Sequence, residues 1–80
     1  MTRDPHPTDA EIVAVMWALA ETRAPKSFCP SEVARRVSDD WRPLMPRIRA
    51  LSRAEGLRAT QRGQPVDAEA ARGPIRLSKP

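Results

Sequence analysis

The sequence predicts a mostly α-helical domain that ends in a small antiparallel hairpin. Two observations predict this class. Apolar residues recur at helical spacing in the first part of the chain, and from Leu57 onward they alternate with polar residues. Proline and glycine mark the junctions, because Pro30 and Pro46 suit first helical turns and Gly56 suits a helix end. With 80 residues, the chain is expected to form one domain with a single small core.

Composition excludes several functional classes. The chain holds one cysteine, Cys29, and one histidine, His6, so it cannot form an internal disulfide or a four-ligand zinc site. We therefore expect no metal, no cofactor and no enzymatic activity. No apolar run approaches the ~20 residues of a membrane span, and the amino-terminal residues lack the hydrophobic stretch of a signal peptide. These features predict a cytoplasmic protein without a membrane partner.

The charge is positive and unevenly distributed. The sequence has 14 Lys and Arg against 10 Asp and Glu, a net charge of +4. Residues 1–33 hold three basic and five acidic side chains, whereas residues 34–80 hold eleven basic and five acidic ones. Any polyanion is therefore expected to meet the carboxyl-terminal half. Twelve of the basic residues are arginine, which suits phosphate and guanine, although a GC-rich genome also favours arginine through its codons.

The first helix is predicted to begin after residue 8. Thr8 and Glu11 have the spacing of a capping box, and Pro25 predicts that the helix ends near Thr22. Its apolar stripe consists of Ile12, Val15, Met16 and Leu19, and Val13 and Trp17 widen it on one side. We expect residues 1–7 to form a disordered tail and residues 8–78 to form the domain.

Two shorter helices are predicted next. Phe28 precedes the first of them as a core anchor, and Pro30 and Glu32 mark its start. Its inward residues are Val33 and Val37, and its outward residues are Arg35 and Arg36. A short turn at 40–44, capped by Asp39 or Asp40, then leads into a third helix over Pro46 to Glu55. Leu44 in the turn shares an inward face with Ile48 and Leu51 of that helix. Arg49 and Arg53 are predicted to face outward, with Arg47 on a flank.

The remainder of the chain predicts a hairpin of two strands. Leu57 and Ala59 alternate with polar residues before a turn at Arg62-Gly63, and Ile75 and Leu77 alternate again near the end. Residues 66–74 between the strands carry the signals of a miniature helix, with Asp67 as its cap and Gly73-Pro74 as its end. The element order is that of a winged helix-turn-helix domain, a three-helix bundle plus a wing, where the wing is the hairpin.

In a winged helix-turn-helix domain the third helix and the wing meet nucleic acid. The predicted contacts are Arg42, Arg47, Arg49 and Arg53 at the third helix, and Arg62, Gln64 and Arg72 in the wing, with Gln61 ending the strand that leads into it. Because nearly all are arginines and the helix has no Asn, backbone contacts are favoured over base readout. Four phosphate contacts would give a slope of about −3.6 for the logarithm of the binding constant against the logarithm of salt concentration. Transcriptional regulation through DNA is one role for such a module.

Three alternatives stay open at this point. The arginines could instead form a solvent-exposed charged surface that binds no partner. A winged-helix module could instead bind a protein partner, or a second copy as a homodimer, through Val13 and Trp17 or through the wing, although Trp17 is more readily explained by packing against the hairpin. Cys29 at a helix start is compatible with a reactive thiolate. The favoured interpretation of Cys29 is a small, half-buried residue beside Phe28.

Four ordered segments also resemble a known family. They are residues 26–35 (KSFCPSEVAR), residues 41–49 (WRPLMPRIR), TQRG at 60–63 with Val66-Asp67, and residues 72–77 (RGPIRL). Together they resemble the small bacterial family catalogued as domain of unknown function 3253, over about residues 10–78. The resemblance implies a winged-helix fold. It implies no activity, substrate or cofactor, so it transfers no site residues.

Overall fold

The computed structural model describes residues 6–80, and residues 1–5 of the predicted tail lie outside that range. Three α-helices and a three-stranded antiparallel sheet confirm the predicted fold class, a winged-helix-like domain. The elements are α1 (Asp9–Arg23), α2 (Pro30–Val37), a 3-10 turn (Arg42–Leu44), α3 (Met45–Ala54), β1 (Arg58–Gln61), β2 (Gln64–Pro65) and β3 (Arg76–Ser78). Pro7, assigned to the tail from the sequence, is fully buried and belongs to the folded part.

Helix α1 begins and ends as its caps predict. The Thr8 hydroxyl accepts a hydrogen bond from the Glu11 amide, and the helix ends at Arg23, before Pro25. Ile12, Met16 and Leu19 are buried on its inner face, and Ala20 joins them. The predicted stripe is therefore correct, and Val15 lies at its half-buried edge.

Helices α1 and α3 lie side by side and run in the same direction. Arg47 bonds Asp9, and Glu55 accepts a hydrogen bond from the Trp17 indole N–H at 2.8 Å. Each pair is separated by 38 residues in sequence. From Asp9 to Trp17 on α1 is eight residues, as is the step from Arg47 to Glu55 along α3, so the contacts follow the same order on both helices. The Trp17 indole therefore makes its hydrogen bond with Glu55, the residue that follows α3.

The buried face of α3 is rotated relative to the prediction. Ile48 is fully buried as expected, but Ser52 is also fully buried, whereas Leu51 is only half-buried. Ser52 tolerates burial because its hydroxyl donates a hydrogen bond to the Arg49 carbonyl at 2.8 Å. Gly56 ends the helix with a φ of 76°, as its position predicted.

The connection before α3 is capped differently from the prediction. Trp41, and neither predicted aspartate, occupies the N-cap position of the 3-10 turn, and its side chain makes no capping bond. Buried Ser38 accepts a hydrogen bond from the Asp40 amide at 3.2 Å. The predicted cap position at Asp39 or Asp40 is therefore wrong.

The sheet has one more strand than expected. Strand β1 is central, pairing with β2 on one edge and β3 on the other, in the order β2-β1-β3. Arg62 and Gly63 both have positive φ, 52° and 79°, typical of two-residue turns that fold a strand directly back. That turn places Gln64 opposite Gln61 and creates β2. Pro65 is tolerated because β2 is an edge strand.

Two long-range features close the domain around the sheet. Fully buried Phe28 pairs with Leu77 through two backbone hydrogen bonds of 2.8 Å, so the α1–α2 connection extends the sheet beside β3. Residues 66–75, which we call the wing loop, run from β2 back to β3 and pass α3. The predicted helix at 66–74 is wrong: Asp67 accepts hydrogen bonds from the amides of Glu69 and Ala70, but only a single turn forms.

Candidate nucleic-acid interface

The seven side chains predicted to contact nucleic acid fall into two groups. Three on α3 already bind other parts of the protein. Four are exposed, on the wing or before α3. The engaged residues are Arg47, Arg49 and Arg53, and the exposed residues are Arg42, Arg62, Gln64 and Arg72. The structure therefore does not present α3 and the wing as one continuous row of unpaired guanidinium groups.

Arg47 connects α3 to the start of α1. Its Nη2 lies 2.6 Å from Asp9 Oδ1, and its Nε donates to the same oxygen at 2.7 Å. The Arg47 side chain is 38% exposed and that of Asp9 is 65% exposed, so the pair lies at the surface. A phosphate group could reach Arg47 only in competition with this carboxylate.

Arg49 holds the wing loop on α3. Its Nη1 donates to the Ala71 carbonyl at 2.6 Å and its Nη2 to the Gly73 carbonyl at 2.5 Å. The prediction that Arg49 points outward is wrong: the residue is half-buried under the wing loop. A planar guanidinium can bind two carbonyls in this fixed fork, which a lysine ammonium cannot reproduce.

Gln61 completes the same anchor from the sheet. Its Nε2 donates to the carbonyls of Arg72, at 2.6 Å, and Pro74, at 3.2 Å. Together, Arg49 and Gln61 bind the four consecutive carbonyls of residues 71–74, so side chains from α3 and from the sheet hold the end of the wing loop. Gln61 therefore acts in positioning the wing loop.

Arg53 is paired with an acidic residue of the wing loop. Its Nε lies 3.0 Å from Asp67 Oδ2. Hydrogen bonds from the Ala70 and Glu69 amides lower the pKa of the Asp67 carboxyl, and Arg53 adds to the effect. Asp67 thus stays ionised beside Arg53, which is exposed as predicted but not unpaired.

Arg42 lies on an aromatic platform before α3. Its guanidinium carbon is 4.6 Å from the centre of the Trp41 ring, and that of Arg35 is 4.5 Å from it. Stacking against the indole orders the Arg42 guanidinium while leaving N–H groups at its edges for anions. Sequence analysis placed Arg35 only on the outward face of α2, because helical periodicity gives no signal for a contact with Trp41.

The side chains of the predicted contact residues of the wing are exposed and have no partner among the described residues. Arg62, Gln64 and Arg72 are exposed, and within residues 6–80 no ion pair or side-chain hydrogen bond engages them. Between Gly56 and Val66 the sequence contains two arginines and no acidic residue. The positive charge of this segment is therefore not neutralised locally.

The sequence matches the model of one protein family. The model covers residues 9–80, which include every helix and strand of the fold. The chain belongs to the family described as a protein of unknown function, DUF3253. The resemblance found in the sequence is thereby confirmed at the level of the family, whose description states neither a fold nor an activity. No curated protein matches the sequence.

The described part of the chain contains no group of three or more His, Cys, Asp and Glu side chains able to hold a metal ion. Cys29 precedes α2 without making a capping bond, and its Sγ lies 3.0 Å from the Ser31 hydroxyl. Within residues 6–80 no helix has the length and apolar character needed to cross a membrane.

Proposed function

We propose that this DUF3253 protein binds nucleic acid, through phosphate contacts made mainly by its wing. The observation that carries the proposal is the pair of exposed arginines, Arg62 and Arg72, which no other described side chain neutralises. Arg42 would add a third cation from the turn before α3. Gln64 would donate hydrogen bonds from its amide. Regulation of transcription is a role in which such a module would serve.

The proposal assigns α3 a supporting part. Arg47 and Arg53 form ion pairs, and Arg49 is bonded to the wing loop, so base readout by any of the three would have to compete with contacts inside the protein. The exposed positions Pro46 and Ala54 offer no hydrogen-bond donor from a side chain. Phosphate contact without deep insertion of α3 therefore fits these contacts better than major-groove readout does.

Salt dependence of duplex binding tests the proposal. Neutralisation of three phosphate charges, by Arg42, Arg62 and Arg72, would give a log–log slope of about −2.7 for the association constant, from about 0.9 per neutralised phosphate. Fluorescence anisotropy with a labelled DNA duplex, repeated over a range of salt concentrations, measures this slope. Affinity that stays constant across that range would contradict the proposal.

A charge-matched pair of variants completes the test. Arg62→Gln together with Arg72→Gln should weaken binding strongly and reduce the slope to about −0.9. The control replaces two exposed cations outside the proposed surface, Lys26→Gln with Arg36→Gln. Equal weakening by both double variants would indicate an effect of net charge alone. No binding at low salt would favour a protein-interaction module of the same fold.

A further inference from the structure

We infer that the Arg62 side chain enters the minor groove of duplex DNA and confers a preference for A·T-rich sequence. The inference rests on the proposed function and assigns it a substrate class. Phosphate contacts alone carry no sequence information, whereas a side chain placed in a groove does. The wing turn, residues 61–64, is the part of the protein whose geometry suits such placement.

The wing turn is a two-residue hairpin turn that carries one charged side chain, Arg62. Gln61 and Gln64 face each other as the last paired residues, and Arg62 and Gly63 join them. A Cβ atom built on Gly63 would meet no atom within 4 Å, so the space around the tip is open. The four residues QRGQ contain no carboxylate to repel a phosphate backbone. Arg62 is therefore the one cation that a groove would receive from this tip.

The shape of the nucleic acid then determines which duplex fits. The minor groove of A·T-rich DNA is narrow and concentrates negative potential, which attracts inserted arginine. In G·C-rich DNA the guanine N2 amino group projects into that groove. The minor groove of an RNA duplex is wide and shallow, so it lacks the same focusing. These properties make A·T-rich DNA the expected partner of Arg62.

The contacts of α3 argue against the major groove as the source of preference. The bidentate base contacts there are made by Arg, Lys, Asn or Gln side chains that reach base edges. The only such residues on α3 are Arg47, Arg49 and Arg53, and all three are engaged within the protein. A sequence preference, if measured, should therefore come from the wing.

Inosine-substituted DNA separates the two grooves. Binding is measured with four labelled duplexes of equal length: A·T DNA, G·C DNA, inosine·C DNA and A·U RNA. Inosine lacks the N2 amino group, so inosine·C DNA resembles A·T in the minor groove while keeping the major-groove groups of guanine. We expect A·T and inosine·C DNA to bind similarly, and both about fivefold more tightly than G·C DNA or the RNA duplex.

Two variants of matched chemistry locate the preference. Arg62→Asn removes the guanidinium and leaves Asn-Gly, the dipeptide favoured in such turns, so the hairpin is retained. Arg72→Gln also replaces one exposed wing arginine by an amide. Arg62→Asn should make the three DNA duplexes bind equally. Arg72→Gln should weaken all of them and keep their order.

Each contrary result has a distinct meaning. If inosine·C DNA binds like G·C DNA, readout occurs in the major groove and the inference is wrong. The same holds if wild-type protein binds all four duplexes equally, or if Arg62→Asn keeps the A·T preference; in these cases nucleic-acid binding itself still stands. Failure of every duplex to bind at low salt would overturn the proposed function as well.

Discussion

Arg53 of α3 and Asp67 of the wing loop form an ion pair, with Nε 3.0 Å from Oδ2. The Asp67 carboxylate therefore already binds the Arg53 guanidinium, which the sequence alone predicts to contact nucleic acid. Arg47, near the start of α3, repeats the arrangement with Asp9. A phosphate backbone approaching α3 must compete with these carboxylates, and this competition can be measured.

Asp67→Asn should strengthen DNA binding if Arg53 faces the duplex. The substitution removes a negative charge and releases Arg53, while Asn keeps an oxygen to accept the Glu69 and Ala70 amides. We expect affinity at low salt to rise about two- to fivefold, since exposed ion pairs are worth up to about 1 kcal/mol. Anisotropy measures the change. Glu69→Gln is the control, and an equal rise in both variants would indicate general charge reduction.

Arg49→Lys should reduce stability without comparable loss of binding. Lysine keeps the charge but cannot donate to the Ala71 and Gly73 carbonyls as a fork. We expect the free energy of unfolding to fall by about 1–3 kcal/mol, measured by urea denaturation followed through tryptophan fluorescence. Arg36→Lys, at an exposed position, should leave it unchanged. A large loss of affinity in folded Arg49→Lys protein would place Arg49 at the interface instead.

The Arg23–Glu32 pair should make stability depend on acidic pH. A two-point hydrogen bond from Arg23, at 2.6 and 3.2 Å, lowers the pKa of the Glu32 carboxyl below its ordinary value of 4.5. A lowered folded-state pKa contributes stability above pH 4.5, and this stability is lost as pH falls through the lowered value.

Glu32→Gln tests this dependence. At neutral pH the variant should be less stable by about 0.5–1 kcal/mol, because the pair is about one-third exposed and partly screened by solvent. The difference from wild type should narrow progressively as the pH falls below 4.5. Denaturation at neutral pH and at a series of pH values below 4.5 provides the measurement. A difference that persists in acid would mean that Glu32 stabilises the fold through packing and not through its charge.

Phe28→Ala should unfold the domain. Phe28 is fully buried and its backbone bonds Leu77, so its removal leaves a cavity where the bundle meets the sheet. Such a substitution costs about 3–5 kcal/mol, comparable to the total stability expected of an unstapled domain of this size. Circular dichroism should show loss of helical structure. Phe28→Leu should remain folded with a lower melting temperature, and a folded Phe28→Ala protein would contradict the expected energetics.

The sequence determines locally encoded features most directly. The Thr8 cap, the stop at Gly56, the stripe of α1 and the anchor at Phe28 were predicted because each depends on neighbouring residues or on burial of a large apolar group. Element order was sufficient for the fold class. Strand β2 was missed because the Arg62-Gly63 signal was interpreted as a turn within one long loop and not as the start of a returning strand.

The candidate interface was less predictable for a physical reason. An arginine has the same helical position whether it faces solvent or a carbonyl, and periodicity cannot distinguish the two. Arg49 reaches acceptors 22 and 24 residues away, and Arg53 an acceptor 14 residues away. Such partners become apparent only once the path of the wing loop is fixed. The exposed wing arginines, Arg62 and Arg72, make no side-chain hydrogen bond or ion pair with the described residues, and their contact with nucleic acid stays a prediction.

The left-handed backbone of Arg62 makes one position serve two opposing demands. A φ of 52° is unfavourable for a side chain with a Cβ, and asparagine or glycine would adopt it with less strain. Directed evolution for heat resistance should therefore enrich Asn or Gly at residue 62. Each such variant would lack the guanidinium, so selection for a more stable protein would remove the proposed contact of Arg62 with DNA.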